Sequence, residues 1–120
     1  MDLTFTGMHS DPIVIPQSIR DAFLPAMRSD QRRLTAAMQL QRFDLMQQML
    51  HRIRGALVIV SAQHLADTAK LIEDAITKGA APEDCLEFTG RFLATLDSAL
   101  SSLELTDWQR TDPNVPLPPI

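Results

Sequence analysis

Residues 50–60, LHRIRGALVIV, decide the fold. Read as a helix together with the residues just before them, their large apolar side chains fall within roughly 100° of one another on a helical wheel. The members of this stripe are Phe43, Met46, Leu50, Ile53, Leu57 and Val60. An apolar stripe of that width predicts an amphipathic helix packed against a core, with His51 pointing well away from it.

Three further segments show the same helical periodicity. Residues 17–41 carry apolar residues at helical spacing, and Pro25 should divide them into a short helix plus a longer one or bend a single helix. Ser61 is a candidate N-cap for the next segment, and Gly79 a candidate stop. Pro82 and the acids after it suit the start of the last helix. We therefore predict an all-α, antiparallel, up-down-up-down four-helix bundle, with a short N-terminal helix or kink before Pro25.

The two ends of the chain differ from this pattern. Residues 1–15 contain turn formers and a short β-like run, so we expect an extended N-terminal arm. Residues 105–120 form a Pro-rich tail, and we expect that residues 107–120, with four prolines, cannot continue a helix. The bundle domain is thus predicted to span residues 16–104.

Composition excludes several classes of protein. Cys85 is the only cysteine among 120 residues, so an internal disulfide and a cysteine-based zinc site within one chain are impossible. The sequence lacks an apolar run approaching the ~20 residues that span a bilayer, and its N-terminus does not resemble a signal peptide. We expect a cytoplasmic protein that does not insert into a membrane.

The net charge of −4 is unevenly distributed. Residues 20–54 hold seven arginines against three aspartates, a balance of +4 that leaves −8 for the rest. This segment could attract an anionic partner, or its charges could simply belong to solvated helix faces. Nucleic acid is a poor candidate, because the total charge is negative and no aromatic residues are interleaved.

The residues around His51 suggest a site on the exposed face of the predicted helix. A neutral imidazole is a nucleophile at physiological pH, and Arg54, one turn on, could neutralise a phosphoryl group. Glycine within a helix costs about 1 kcal/mol relative to alanine, and Gly55 would let a partner approach the ring closely. The remaining members of the expected docking face are Gln47, Gln48 and Val58. Taken alone, the triplet His51, Arg54 and Gly55 fits an ordinary surface histidine at least as well.

The longer stretch HRIRGALVIVSAQHLADTAKLIE, residues 51–73, resembles the signature of histidine phosphotransfer (HPt) domains, roughly H-x-x-K-G-x-x-x-x-x-G-A-x-x-L-x-x-x-A-x-x-L-E. The matching residues are His51, Gly55, Ala62, Leu65, Ala69 and Glu73. Arg54 occupies the lysine position, Ile72 the final leucine position and Ser61 the second glycine position. The resemblance extends over roughly residues 19–103, most of the chain.

The resemblance implies a phosphorelay intermediary. His51 would accept a phosphoryl group from the phosphoaspartate of a response-regulator receiver domain and pass it to another receiver. The chain would then be a carrier and not an enzyme, although a hybrid sensor kinase containing it would be a histidine kinase. We expect no cofactor or metal in this chain, Mg²⁺ in the partner receiver, and a monomer.

Two alternatives remain. One is an HPt-like adaptor that binds a receiver or sensor kinase without being phosphorylated. The other, a metal-dependent enzyme in the bundle core, lacks the inward-facing Glu and Glu-x-x-His set that such sites need. The sequence does not distinguish a free-standing protein from a domain of a hybrid kinase, and it does not identify the receivers.

Overall fold

A computed structural model describes residue 15 and residues 17–111, with side-chain surroundings for residue 15 and residues 18–105. This part of the chain forms four helices and no strand: α1 (Gln17–Gln39), α2 (Phe43–Ile59), α3 (Gln63–Thr77) and α4 (Pro82–Thr111). Each helix packs against the next in sequence, and α1 also packs against α4. The predicted all-helical fold is therefore confirmed. The predicted arm lies outside the described residues except for Ile15, which is buried.

The core is built from the apolar stripes of all four helices. Five members of the α2 stripe are buried, and Phe43 packs against them while partly exposed. The largest fully buried side chains include Met27, Leu34, Met46, Leu50, Ile53, Leu57, Leu65, Ile72, Phe92, Leu96 and Leu100. Removing so much apolar surface from water supplies the main driving force for this packing.

Polar contacts join α1 to α4 at the edge of the core. Arg28 donates to Asp97 at 2.8 Å and to Glu104 at 2.6 Å, and Gln31 also donates to Asp97, at 3.1 Å. The hydrogen bond from Gln31 and, after it, that from Arg28 hold the pKa of Asp97 below its ordinary value. The Arg28 guanidinium therefore connects α1 to two positions on α4 that lie about two helical turns apart.

All three turns between helices contain a residue in the left-handed backbone conformation. Gln41, Ser61 and Gly79 have φ of 53°, 61° and 77°, and each follows the end of a helix. In the second turn the N–H of Ala62 donates to the carbonyl of Leu57 at 2.9 Å, the bond that defines a Schellman motif. Two of the three left-handed positions are thus held by residues with a Cβ, which pay a conformational penalty that glycine avoids.

Two sequence-based details were wrong. Ser61 is not the N-cap of α3, because it occupies the left-handed position of the preceding turn and α3 begins at Gln63. Of the two alternatives predicted around Pro25, a short helix plus a longer one is excluded, because α1 is continuous through the proline. The predicted bend in a single helix stays a prediction. The buried residues Phe23 and Met27 belong to the same core on either side of the proline.

The second error concerns the end of the last helix. It continues to Thr111, although we expected residues from 107 onward not to continue a helix. The first proline of the tail is Pro113, and a proline disfavours the helical conformation only in the residue before it and at later positions. The four residues after 107 were therefore free to remain helical.

Candidate functional site

Helix α2 presents His51 to solvent on the face opposite its buried stripe. Leu50 and Ile53 on either side of it are fully buried, whereas the His51 side chain is 70% exposed. The helical geometry predicted from the wheel is thus confirmed at this position. The ring is accessible to a partner on the outer face of α2.

The contacts of the His51 ring within the described residues are made at Nδ1. A Glu73 carboxylate oxygen, Oε1, lies 3.1 Å from Nδ1, and a terminal nitrogen of Arg54 lies 2.9 Å from it. Arg54 also donates from Nε to the other carboxylate oxygen of Glu73 at 2.6 Å. The three side chains form a closed triangle that joins α2 to α3.

Glu73 is the buried member of this triangle. An ionised carboxylate that is removed from water requires a charged partner, and Arg54 supplies it. The hydrogen bond that Arg54 donates to Glu73 is the main reason that the pKa of Arg54 is raised above its ordinary value. Since an ionised carboxylate only accepts hydrogen bonds, its contact with His51 is favourable when Nδ1 carries the proton. In that tautomer Nε2 holds the lone pair.

A short chain of polar contacts extends from the triangle along α3. The side-chain amide of Gln47 donates to the hydroxyl of Thr77 at 2.5 Å, and that hydroxyl donates to the backbone carbonyl of Glu73 at 3.0 Å. Gln47 is therefore half-buried between the two helices, whereas Gln48 is exposed. Of the two glutamines expected on the docking face, only Gln48 is fully available to a partner.

The surface beside His51 is open and partly apolar. A Cβ added to Gly55 would meet nothing within 4 Å, so the glycine is not required by packing within this chain. Val58, which was predicted on the docking face, is 49% exposed, and Ile59 is 74% exposed. On the side of α2 that faces α1, Ile59 also borders an apolar groove of about 220 Å³ lined by Ile19, Ala22, Phe23, Ala26, Met27, Asp30, Ala56 and Val60.

Sequence reasoning missed the contact between Glu73 and His51. Glu73 was matched to the end of the signature, but its distance of 22 residues from His51 crosses the α2–α3 turn, where helical spacing gives no information. A carboxylate on the apolar stripe of α3, one residue after Ile72, was the available signal. Charged residues at such positions are seldom buried without a partner.

Other residues with reactive or charged side chains do not join the site. Four arginines of the basic segment are paired with carboxylates, Arg28, Arg42, Arg52 and Arg54, so much of the predicted positive charge is neutralised locally. Cys85 is buried, and this burial raises the pKa of its thiol. His64 and Asp67 lie on exposed positions of α3, and the described residues contain no group of three or more potential metal ligands.

Comparison with known proteins gave one family. A family model described as Hpt domain matches residues 18–107, three quarters of the chain and all four helices in large part. Searches of curated proteins and of solved structures gave no significant match. Among the helices described, none has the length and apolar character needed to cross a bilayer.

Proposed function

The chain belongs to the Hpt domain family, and from that membership we propose that it is a phosphorelay carrier whose phosphoacceptor is His51. Domains of this family act in histidine phosphotransfer and interact with receiver domains or kinases. The finer assignment, transfer from one receiver phosphoaspartate to His51 and onward to a second receiver, is our hypothesis. The observation that carries it is the exposed ring whose Nδ1 faces the buried carboxylate of Glu73.

The proposed reaction uses the lone pair of Nε2. This nitrogen attacks phosphorus, an N–P bond forms, and the P–O bond to the receiver aspartate breaks with its electron pair left on that carboxylate. The ring, which keeps the proton on Nδ1, gains a positive charge as the bond forms. Glu73, 3.1 Å from Nδ1, compensates that charge. Transfer to a second receiver is the reverse of these steps.

Arg54 is proposed to supply positive charge to the transferring phosphoryl group, in the role that the lysine of the signature would take. Its guanidinium lies on the Nδ1 side of the ring, engaged with Glu73, so it must reorient to contact a group on Nε2. Mg²⁺ is expected in the receiver partner, and we propose no cofactor or metal for this chain.

The proposed docking face comprises the exposed surface of α2 around His51, namely Gln48, Gly55 and Val58, with Gln47 at its edge. Its small apolar area fits a monomer that binds receivers transiently. Contacts between α2 and α3 support the proposed antiparallel arrangement, since Gln47 pairs with Thr77 whereas Arg54, further along α2, pairs with Glu73, nearer the start of α3. We propose a cytoplasmic site of action, where receiver domains operate.

The decisive experiment incubates the chain with a panel of phosphorylated receivers and maps acid-labile phosphate to a residue. We expect label on His51 that is lost in His51→Gln and kept in His64→Gln, a matched change on another exposed histidine. Helical circular dichroism checks that both variants fold. Label on another residue would reject His51 as the phosphoacceptor. No label from any receiver, together with unaltered receiver binding by His51→Gln, would support the adaptor and reject the carrier.

A further inference from the structure

Arg54 and Glu73 both contact Nδ1 of His51, but the two contacts require different protonation of that nitrogen. Glu73 Oε1 lies 3.1 Å from Nδ1 and an Arg54 terminal nitrogen lies 2.9 Å from it. The carboxylate can only accept, so it needs a proton on Nδ1. The guanidinium can only donate, so it needs a lone pair there. A neutral imidazole cannot satisfy both at once.

The two alternatives differ in reactivity. With the proton on Nδ1, the outward Nε2 has the lone pair required to attack phosphorus. With Arg54 donating to Nδ1, the proton of the neutral ring is on Nε2, and this nitrogen cannot act as the nucleophile. The position of one guanidinium therefore decides which tautomer is favoured.

From this geometry we propose that Arg54 is a positioning residue that restrains His51 before docking. While Arg54 donates to Nδ1, the Nε2–H tautomer of the ring is favoured. When the guanidinium moves toward an incoming phosphoryl group, Nδ1 is left to Glu73. This inference rests on the proposed function and adds a trigger to it. A phosphoryl group brings the negative charge that competes with Glu73 for the guanidinium. The donor itself would thus convert the ring to the reactive tautomer.

Arginine is suited to this role because its donors are separated on a rigid plane. Nε holds Glu73 Oε2 at 2.6 Å while a terminal nitrogen reaches the ring. A lysine side chain has a single nitrogen, so it cannot hold Glu73 with one nitrogen while a second nitrogen reaches the His51 ring. The Arg54 side chain is 27% exposed, which leaves it accessible to a docked group.

The test measures the ratio of the two His51 tautomers by ¹⁵N NMR on the unphosphorylated chain. The measurement is made at a pH well above 6.5, which is about the ordinary pKa of a histidine side chain. Arg54→Met should raise the ratio of Nδ1–H to Nε2–H by roughly threefold or more, since it removes a charge-assisted donor at a partly exposed site. Glu73→Gln should lower the ratio, because the neutral amide attracts the Nδ1 proton less. His64 serves as the reference in the same spectra and should not change.

Arg54→Lys provides a second test in case the loss of charge beside buried Glu73 prevents Arg54→Met from folding. It should move the ratio in the same direction as Arg54→Met, by a smaller amount. A ratio unchanged from wild type in whichever Arg54 variant folds would overturn the inference. The measurement needs no phosphoryl donor, so an unchanged ratio alongside label on His51 rejects only this proposal, whereas failure to label His51 rejects the carrier.

Discussion

Substitution of Gly55 by alanine should stabilise the fold and impair docking. Gly55 lies in the exposed interior of α2, where an added Cβ would meet nothing within 4 Å. Glycine in such a position is destabilising by about 0.5–1 kcal/mol relative to alanine. For a domain of roughly 60–100 residues, each kcal/mol shifts Tm by about 4–8 °C. We therefore expect Gly55→Ala to raise Tm by about 2–8 °C.

The same methyl group lies where the proposed receiver must approach His51. Forcing an extra methyl into a close-packed contact costs about 1–3 kcal/mol, which corresponds to roughly fivefold to hundredfold weaker docking. The assay measures the initial rate of transfer from a phosphorylated receiver at subsaturating concentration. Gly55→Gln, a longer side chain that also favours helix, should lower this rate further.

Gly90 offers a matched control. It lies within α4, an added Cβ would also meet nothing within 4 Å, and it is far from α2 in sequence. Gly90→Ala should raise Tm by a similar amount and leave the transfer rate unchanged. The reasoning is refuted if Gly55→Ala lowers Tm, or if it transfers phosphate as fast as Gly90→Ala while folding normally.

Three further outcomes can be measured by unfolding. Ser61→Gly, at φ 61°, should raise Tm because it relieves a left-handed residue with a Cβ, and Gly79→Ser, at φ 77°, should lower it; shifts of opposite sign would contradict this account of the turns. Leu50→Ala should lower the unfolding free energy by about 2–5 kcal/mol. Leu40→Ala, at a position 70% exposed, should have little effect. Equal losses of unfolding free energy in the two variants would argue against the assigned core. Asp97 has a lowered pKa in the folded state because α1 side chains donate to it, so its contribution is present above its unfolded pKa of about 3.9 and is lost as the pH falls through the lower folded value. Asp97→Asn should therefore weaken the acid dependence of stability, and an unchanged slope of unfolding free energy against pH would count against this ion pair.

Helical periodicity was sufficient to predict which residues of α2 form the core and that His51 is exposed. The α2 stripe placed Leu50 and Ile53 inside and His51 outside, because one helix face faces the core at every turn. The stop at Gly79 followed from an equally local rule. These features depend on a few neighbouring residues, which is the range over which sequence patterns carry information.

Features set by tertiary contacts were beyond that range. The contact of Glu73 with His51 depends on how α2 and α3 pack, and the half-buried position of Gln47 depends on its bond to Thr77. Ser61 has the composition of an N-cap, yet the preceding helix uses it to close a Schellman turn. Local propensity suggested where the turn would occur but not which helix the residue would serve.

The His51 ring and the carboxylate that faces it come from the two helices of one helical hairpin. A synthetic peptide copying α2 alone would contain the imidazole without its acid, and its chemistry should revert to that of free histidine in water. Shortening or lengthening the loop between the two helices by one residue would rotate the carboxylate by about a quarter of a helical turn and out of reach, since successive residues are about 100° apart. The proposed reactivity of His51 toward a phosphoryl group would therefore depend on the registry of the two helices, which can be changed without altering the histidine.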